Sequence, residues 1–321
     1  MPFLEILILL LFLGVVAATY VLAARAVLAL LRRRWRNVPG GAARLSPLHR
    51  TALVLAALGT ILILYGHFVE PRWLAVTHVR ISSGKIPPGT SPIRIVQISD
   101  IHAEAAPGLE ASLPAIITSE KPDLIVFTGD AANCREGIPV FQRCMTRIAA
   151  IAPTLAVRGN WDIRKWKDIP LFENTGVREL DGDAVPIAIR GVVIGVAGVA
   201  SRHEDRIPAA MQKLPANAFS LFLYHYTIPE RVADPRIDLI ISGHTHGGQV
   251  ALPFYGALIT LSPHGKRYES GLYPIGNAWL YVNRGIGMEG GFAPRVRFFA
   301  RPELTVFEII PNGNPAMGGA R

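Results

Sequence analysis

Two histidines stand two residues apart in ISGHTHGGQ, residues 241–249, among three glycines. In an extended segment, residues i and i+2 project to one face and the residue between them to the other. In that geometry His244 and His246 could converge on one point, with Thr245 turned away, and the pair alone decides nothing. The pair gains meaning from its company. Asp100 and His102 end the run IRIVQISDIH, Asp130 ends PDLIVFTGD, Asn160 ends PTLAVRGN and His225 ends SLFLYH. Singly, each reads as a turn, cap or core residue. Jointly, each follows an apolar run, and carboxylate, imidazole and amide oxygen make a donor set for divalent metals. Seven such ligands fit two ions that share one carboxylate.

The elements that must carry these residues read as strands alternating with helices. Apolar, β-branched runs at 93–100, 122–130, 153–160, 192–200, 220–225 and 237–246 are punctuated by helix-like segments near 108–119 and 137–151. Two or three more strands are expected in 280–310, and one short strand in LAVTHVRIS. Near-continuous apolar runs separated by helices imply an α/β fold whose sheet is covered on both faces. Ligands then gather beyond the carboxyl ends of the strands, where every candidate donor falls.

At this point the chain resembles a known family. The order D-x-H, G-D, G-N, H, G-H-x-H is similar to that of the calcineurin-like metallophosphoesterases over residues 93–310. GHTHGGQ and SPHGKRYESGLYPIGNAWLYVNRGIG resemble its membrane-associated bacterial phosphodiesterase branch. The resemblance implies a four-layer α/β/β/α sandwich and two divalent ions, with Mn, Fe, Zn or Ni all compatible with these ligands. It assigns Asp100, His102, Asp130 and His246 to the first ion. Asp130 bridges to the second, which Asn160, His225 and His244 complete; Asp130, Asn160 and His244 are the residues expected to matter most for catalysis. Two such cations lower the pKa of a shared water and clamp the attacking and leaving oxygens of an in-line displacement. No G-x-S-x-G elbow offers a rival nucleophile.

The chain departs from the family where histidine usually follows the G-N pair. Here the run is RGNWD, and Trp161 takes that place. Indole donates one hydrogen bond and cannot act as an acid at neutral pH. Either the leaving group needs no acid, as for a diphosphate, or another group such as His203 or His264 substitutes. Asn133 stands where a second aspartate is common and is expected to support a ligand. Arg158, Trp161 and Arg284 are the candidates for contact with substrate, the arginines through bidentate bonds to phosphate.

The chain has 321 residues, half of them hydrophobic, and the excess is local. Residues 2–24 carry only Glu5, and residues 51–69 carry no formal charge; each is close to the ~20 apolar residues that span a bilayer. Seven arginines and no acid lie between positions 25 and 50, which keeps that loop in the cytoplasm by the positive-inside rule. The catalytic part is then extracytoplasmic, anchored in an inner or plasma membrane. Of the formal net charge of +9, residues 1–70 account for +5, and no basic run interleaved with aromatics follows, so nucleic acid is excluded as partner. The expected layout is a membrane hairpin at 1–70, a linker and edge segment at 71–92, the catalytic domain at 93–310 and a disordered tail at 311–321. Cys134 and Cys144 read as two free thiols in preference to a disulfide. The function expected is a membrane-anchored phosphoesterase acting on a phosphodiester or diphosphate, on a phosphorylated small molecule or a lipid. Two alternatives stand beside it. One is a UDP-2,3-diacylglucosamine diphosphatase-type enzyme, whose cytoplasmic substrate requires the inverted topology. The other is a catalytically silent module that binds metal and a phosphorylated ligand.

Overall fold

The apolar β-branched runs assemble into two six-stranded sheets packed face to face. In this computed structural model, residues 3–35, 45–232, 234–289 and 295–312 are described. The first sheet contains β1 (Ala75–Ser83), β2 (Ile93–Ile98), β3 (Leu124–Phe127), β4 (Thr154–Ala156), β5 (Arg178–Glu179) and β14 (Glu303–Pro311), in the order β1-β14-β2-β3-β4-β5. The second contains β6 (Asp183–Ile189), β7 (Val192–Val199), β8 (Phe219–Tyr224), β9 (Leu239–Ser242), β12 (Gly271–Ile275) and β13 (Ala278–Val282), in the order β12-β13-β9-β8-β7-β6. A small hairpin, β10 (Ala251–Leu252) with β11 (Gly256–Ala257), projects from the loop after β9.

Strands β2 to β5 run parallel, as do β7, β8, β9 and β13, so their carboxyl ends meet along one edge. Between the sheets lies a core of Ile95, Val126, Leu221 and Ile241, all fully buried. Each such side chain contributes about 1.5–3 kcal/mol by leaving water. Helices α3 (Leu113–Glu120) and α4 (Gly137–Ala149) cover the outer face of the first sheet through Ile117, Phe141 and Met145. Helix α6 (Ile207–Gln212) covers the second through Ile207 and Met211, and α5 (Asn160–Lys165) caps the ligand edge. The result is the four-layer α/β/β/α arrangement.

The expected strands and helices occur close to their predicted bounds. Missing from the sequence reading are the antiparallel edge strands β6 and β12, each interrupted by a proline, Pro186 and Pro274, that an edge strand tolerates. The segment 75–83 does more than link. It pairs residue for residue with β14 over nine positions, and so forms an edge of the first sheet. Cys134 and Cys144 are free thiols. The residues from 313 to the end, where a disordered tail was expected, lie outside the described residues, as do 36–44 of the arginine-rich loop.

Two helices precede the sandwich: α1 (Phe3–Trp35) and α2 (Pro47–Phe68). Both are long and apolar enough to cross a membrane. They lie side by side, with Tyr20 Oη and Thr60 Oγ1 3.0 Å apart, and Leu10, Leu11, Val54 and Ile61 point outward. An apolar surface of this extent is a liability in water and suits lipid. The end of α2 joins the sandwich directly, because the backbone N–H of Arg297 donates to the Gly66 carbonyl at 2.9 Å.

Candidate metal centre

The candidate donors all leave the carboxyl ends of strands. Beyond β2 and β3 the ladder continues into the loops: Asp100 N–H donates to the Gly129 carbonyl and His102 N–H to the Asp130 carbonyl, at 2.8 and 3.1 Å. Close approach is possible because Gly129 has φ +101° and any Cβ there would collide with Gly159. A Cβ at Gly243 would likewise overlap the Asp100 carboxylate.

Two tight donor groups result, each fully buried. Atoms of Asp100, His102 and His246 lie within 4.8 Å of one another, and so do atoms of Asp100, Asp130 and His225. His246 Nε2 is 3.3 Å from Asp100 Oδ1, and His102 Nε2 is 3.2 Å from His246 Nε2. Asp130 Oδ2 lies 3.6 Å from His102 Nε2 and 3.3 Å from His225 Nε2, so it reaches a histidine of each group. Asn160 Oδ1 is 3.0 Å from His225 Nε2. His244 stands beside the second group, its ring 5.2 Å from that of His225 and its N–H 3.2 Å from both oxygens of Asp100.

His244 and His246 point to different groups, although an extended segment would have let them converge. The segment is not extended: His244 has φ 73°, Thr245 is right-handed helical and His246 has φ 53°. The two imidazoles therefore part, one toward His225 and one toward His102. Left-handed φ recurs at Asp100, His102 and Asp130 (50°, 45° and 62°). Such conformations cost about 1–3 kcal/mol each in non-glycine residues and persist where surrounding structure imposes them, typically at functional sites.

Two histidines are aimed by hydrogen bonds on their far side. His225 Nδ1 donates to the Thr128 carbonyl at 2.7 Å, which turns Nε2 toward the carboxylates. His102 Nδ1 meets Asn133 Oδ1 at 2.9 Å, and the Asn133 amide donates to Glu104 and to the Met288 carbonyl. That network fixes the oxygen as the acceptor, so His102 also presents Nε2. Orientation of this kind is what ligating imidazoles require.

The electrostatics ask for a cation. Burial opposes ionisation of Asp100, yet His246, His225 and His102 hold its carboxyl below the ordinary range. Asp130 is lowered against the same burial, chiefly by His225. Among the described residues, neither has an arginine or lysine partner. Burial disfavours the charged form of His225, but Asp130 and Asp100 push it up to about 10, whereas desolvation takes His102 and His244 down to about 4. A proton on His225 thus supplies the positive charge that two buried carboxylates demand. Two oxygen-rich, imidazole-bearing groups with shared carboxylates fit divalent first-row metals.

Other sequence-predicted residues fall elsewhere. The guanidinium of Arg158 is committed to Glu179 at 2.7 Å and to the carbonyls of Trp166 and Ile169, so the substrate contact expected of it is not available. Arg284 bonds to the Arg301 carbonyl and lies 3.3 Å from Glu303, behind the His246 loop. His203 is held by Asp181 and His264 by Glu230; neither touches the ligand cluster. Trp161 does: its backbone N–H donates to Asp130 Oδ1 at 2.8 Å, its ring stands edge-on to His102 at 5.4 Å, and its indole N–H turns away to Glu289. Lys165 Nζ lies 3.6 Å from the indole centroid.

Two residues that sequence reasoning missed organise the site. Asp162 is fully buried, and its carboxylate accepts from the N–H groups of Asp130, Ala131 and Gly159 at 2.8–2.9 Å, stitching two ligand loops together. Burial and the Asp130 charge raise it to about 7 despite those three donors. Gly159 has no side chain with which to complete a capping box, but an acid three residues after the N-cap supplies its other half, accepting from the N-cap N–H. Arg297 is fully buried, donates to the carbonyls of Arg284, Gly285, Gly287 and Ala300, and lies 3.4 Å from His246 Nδ1. Nothing in its local sequence announces that role.

Comparison with known proteins gives the following. A model of the calcineurin-like phosphoesterase family matches residues 93–248. An uncharacterised metallophosphoesterase of Bacillus subtilis, YkuE, is 35% identical over 76% of this chain and 88% of its own length. The phosphodiesterase YaeI of Escherichia coli is 29% identical over 77% and 92%. A Chlamydia muridarum protein named UDP-2,3-diacylglucosamine pyrophosphatase LpxG is 24% identical over 81% and 96%.

Proposed function

The chain belongs to the calcineurin-like phosphoesterase family and is a metal-dependent phosphoester hydrolase; on that premise we propose that it is membrane-anchored and cleaves a phosphodiester or diphosphate at a two-metal centre. One observation carries the reading: two buried donor groups share Asp100, and among the described residues their carboxylates make ion pairs with histidines and not with any Arg or Lys. Asp100, His102 and His246 would hold one cation, Asn160, His225 and His244 the other, with Asp130 reaching both. Bound divalent cations would supply Lewis-acid polarisation of the phosphoryl oxygens and activation of water.

The remaining roles belong to the chain itself. Asn133 and the Thr128 carbonyl aim His102 and His225. Asp162 keeps the loops of Asp130 and Asn160 at their mutual distance. Trp161 walls the site and cannot protonate a leaving oxygen; the ammonium of Lys165, held over the indole, is the group we assign to stabilising charge there. This favours substrates with a stable leaving group, such as a diphosphate.

Membrane anchoring rests on α1 and α2, and extracytoplasmic placement on the arginine-rich loop between them. A cavity of about 540 Å³ is lined at one end by His102 and Asn133 and at the other by His67, Pro71 and Arg72, where α2 ends. That continuity supports a substrate presented at the membrane, as does the diacylated substrate in the name of the chlamydial relative. The test is a substrate panel on the full-length protein with Mn²⁺. Aryl phosphodiesters and lipid-linked diphosphates should be hydrolysed in preference to monoesters, and monoester preference would overturn the substrate class. A C-terminal reporter active only in the cytoplasm would overturn the topology.

A further inference from the structure

The sandwich places large aromatic side chains in solvent where folding gains nothing from them. Phe254, in the turn of the β10–β11 hairpin, is fully exposed, and Phe299 is 63% exposed. Both stand at left-handed φ, 65° and 52°, a costly conformation for a bulky residue. Glycine or asparagine would relieve each turn and remove the apolar surface. Selection for an isolated domain in water does not explain either choice.

The two aromatics belong to one structural unit. Ala251 N–H donates to the Phe298 carbonyl at 2.8 Å, and Val250 bridges to Phe298, so the hairpin is bonded to the segment bearing Phe299. That segment lies along the last turn of α2. Besides the Arg297 bond to Gly66, the Phe298 ring meets Tyr65 edge-on at 6.3 Å. At the junction is a cavity of about 560 Å³ lined by Leu62, Tyr65, Trp73 and Phe299, with Arg301 and Glu70 above. Leu62 precedes Gly66 by one helical turn, ~6 Å back along the axis, so Phe299 reaches below the end of the apolar helix. Trp73 is half exposed, and the Arg301 guanidinium sits 4.1 Å from its ring centroid. Glu70 is turned inward, accepting from Ala300 N–H at 2.7 Å. Tryptophan with a snorkelling cation is the composition of a membrane interface.

We propose that Trp73, Phe254, Phe299 and Arg301 form a bilayer-contact face, seated in the headgroup boundary of the membrane that α2 enters. The inference rests on the reading of α1 and α2 as membrane spans. Its partner is the phospholipid bilayer: the acyl–glycerol boundary receives the two phenylalanines, and lipid phosphates meet Arg301. The domain then lies against the membrane on its ligand edge and does not swing freely on its anchor, which fixes the height of the metal centre above the lipid.

Nitroxide labels on the full-length protein, reconstituted in phosphatidylcholine–phosphatidylglycerol vesicles, test this. In a Cys134→Ser background, labels are placed singly through Ile61→Cys in α2, Phe254→Cys, Phe299→Cys, and Val193→Cys at the start of β7, on the edge opposite the site. Collision with oxygen against a water-soluble nickel chelate reports depth. The expected order is Ile61 deepest, Phe299 and Phe254 intermediate and oxygen-favoured, and Val193 fully aqueous. Labels at 254 and 299 as aqueous as Val193, with Ile61 deep, would overturn the contact face while leaving the anchor intact. An aqueous Ile61 would remove the anchor, and the contact face with it.

Discussion

The two halves of the ligand cluster are supported in different ways. His225, in the half with Asn160, is aimed by a backbone carbonyl at the end of β3, and so by the sheet itself. His102 and His246, in the other half, lean on side chains: Asn133 on one ring and the buried Arg297 beside the other. Their resting charge differs as well, since His225 is raised to about 10 and His102 lowered to about 4. One half is anchored to the sheet through His225, while the other depends on side chains in loops, one of which is bonded to the end of α2 through Arg297. The difference teaches that the first half tolerates mutation around it, while the second can be loosened from outside.

The largest expected effect treats the halves alike. Asp130→Asn removes the carboxylate that reaches both, and turnover of an aryl phosphodiester should fall on the order of a thousandfold, about 4 kcal/mol of transition-state stabilisation. Asn133→Ala should separate them. Losing the partner that aims a ligand costs ~10–100-fold in metal affinity, so calorimetric titration should show one weakened site and one unchanged. Equal weakening of both would erase the proposed asymmetry.

Arg297→Lys keeps a cation but loses several carbonyl contacts, and should lower thermal stability by at least about 2 kcal/mol. The titration of the metal-free protein gives the smallest effect. His225 is raised above its unfolded value near 6.5, so its contribution is complete below that pH and is lost as pH rises toward about 10. His102 is lowered to about 4, so the unfolded chain binds more protons between 4 and 6.5 and stability there rises with pH. Denaturant titrations should therefore give a maximum near pH 6.5, and His225→Asn should remove the alkaline limb and also change the acid one, because His225 helps to hold Asp130 and Asp100 ionised.

Much of this was written in the sequence because strand-end donors are rare residue types in a fixed order. Asp100, His102, Asp130, Asn160, His225, His244 and His246 could be picked out, and the α/β layering followed from apolar runs alternating with helices. What the sequence concealed was long-range or dihedral. The left-handed turns at His244 and His246 set the two rings apart, and no residue pattern announces those dihedrals. The β1–β14 pairing joins segments more than 200 residues apart. Arg297 pairs with carbonyls, which carry no sequence signature, and Arg158 sits beside the Gly159–Asn160 loop yet turns to Glu179. Adjacency in sequence fixed its position and left its direction open.

The central claim is a pair of cations on shared carboxylates. Metal analysis of the full-length protein, read together with diesterase turnover before and after chelation, tests it most directly. The account predicts two divalent ions per chain, turnover abolished by chelation and restored by Mn²⁺, and in Asp130→Asn no metal pair and turnover lower on the order of a thousandfold. Undiminished turnover from protein stripped of metal, or from Asp130→Asn, would contradict it.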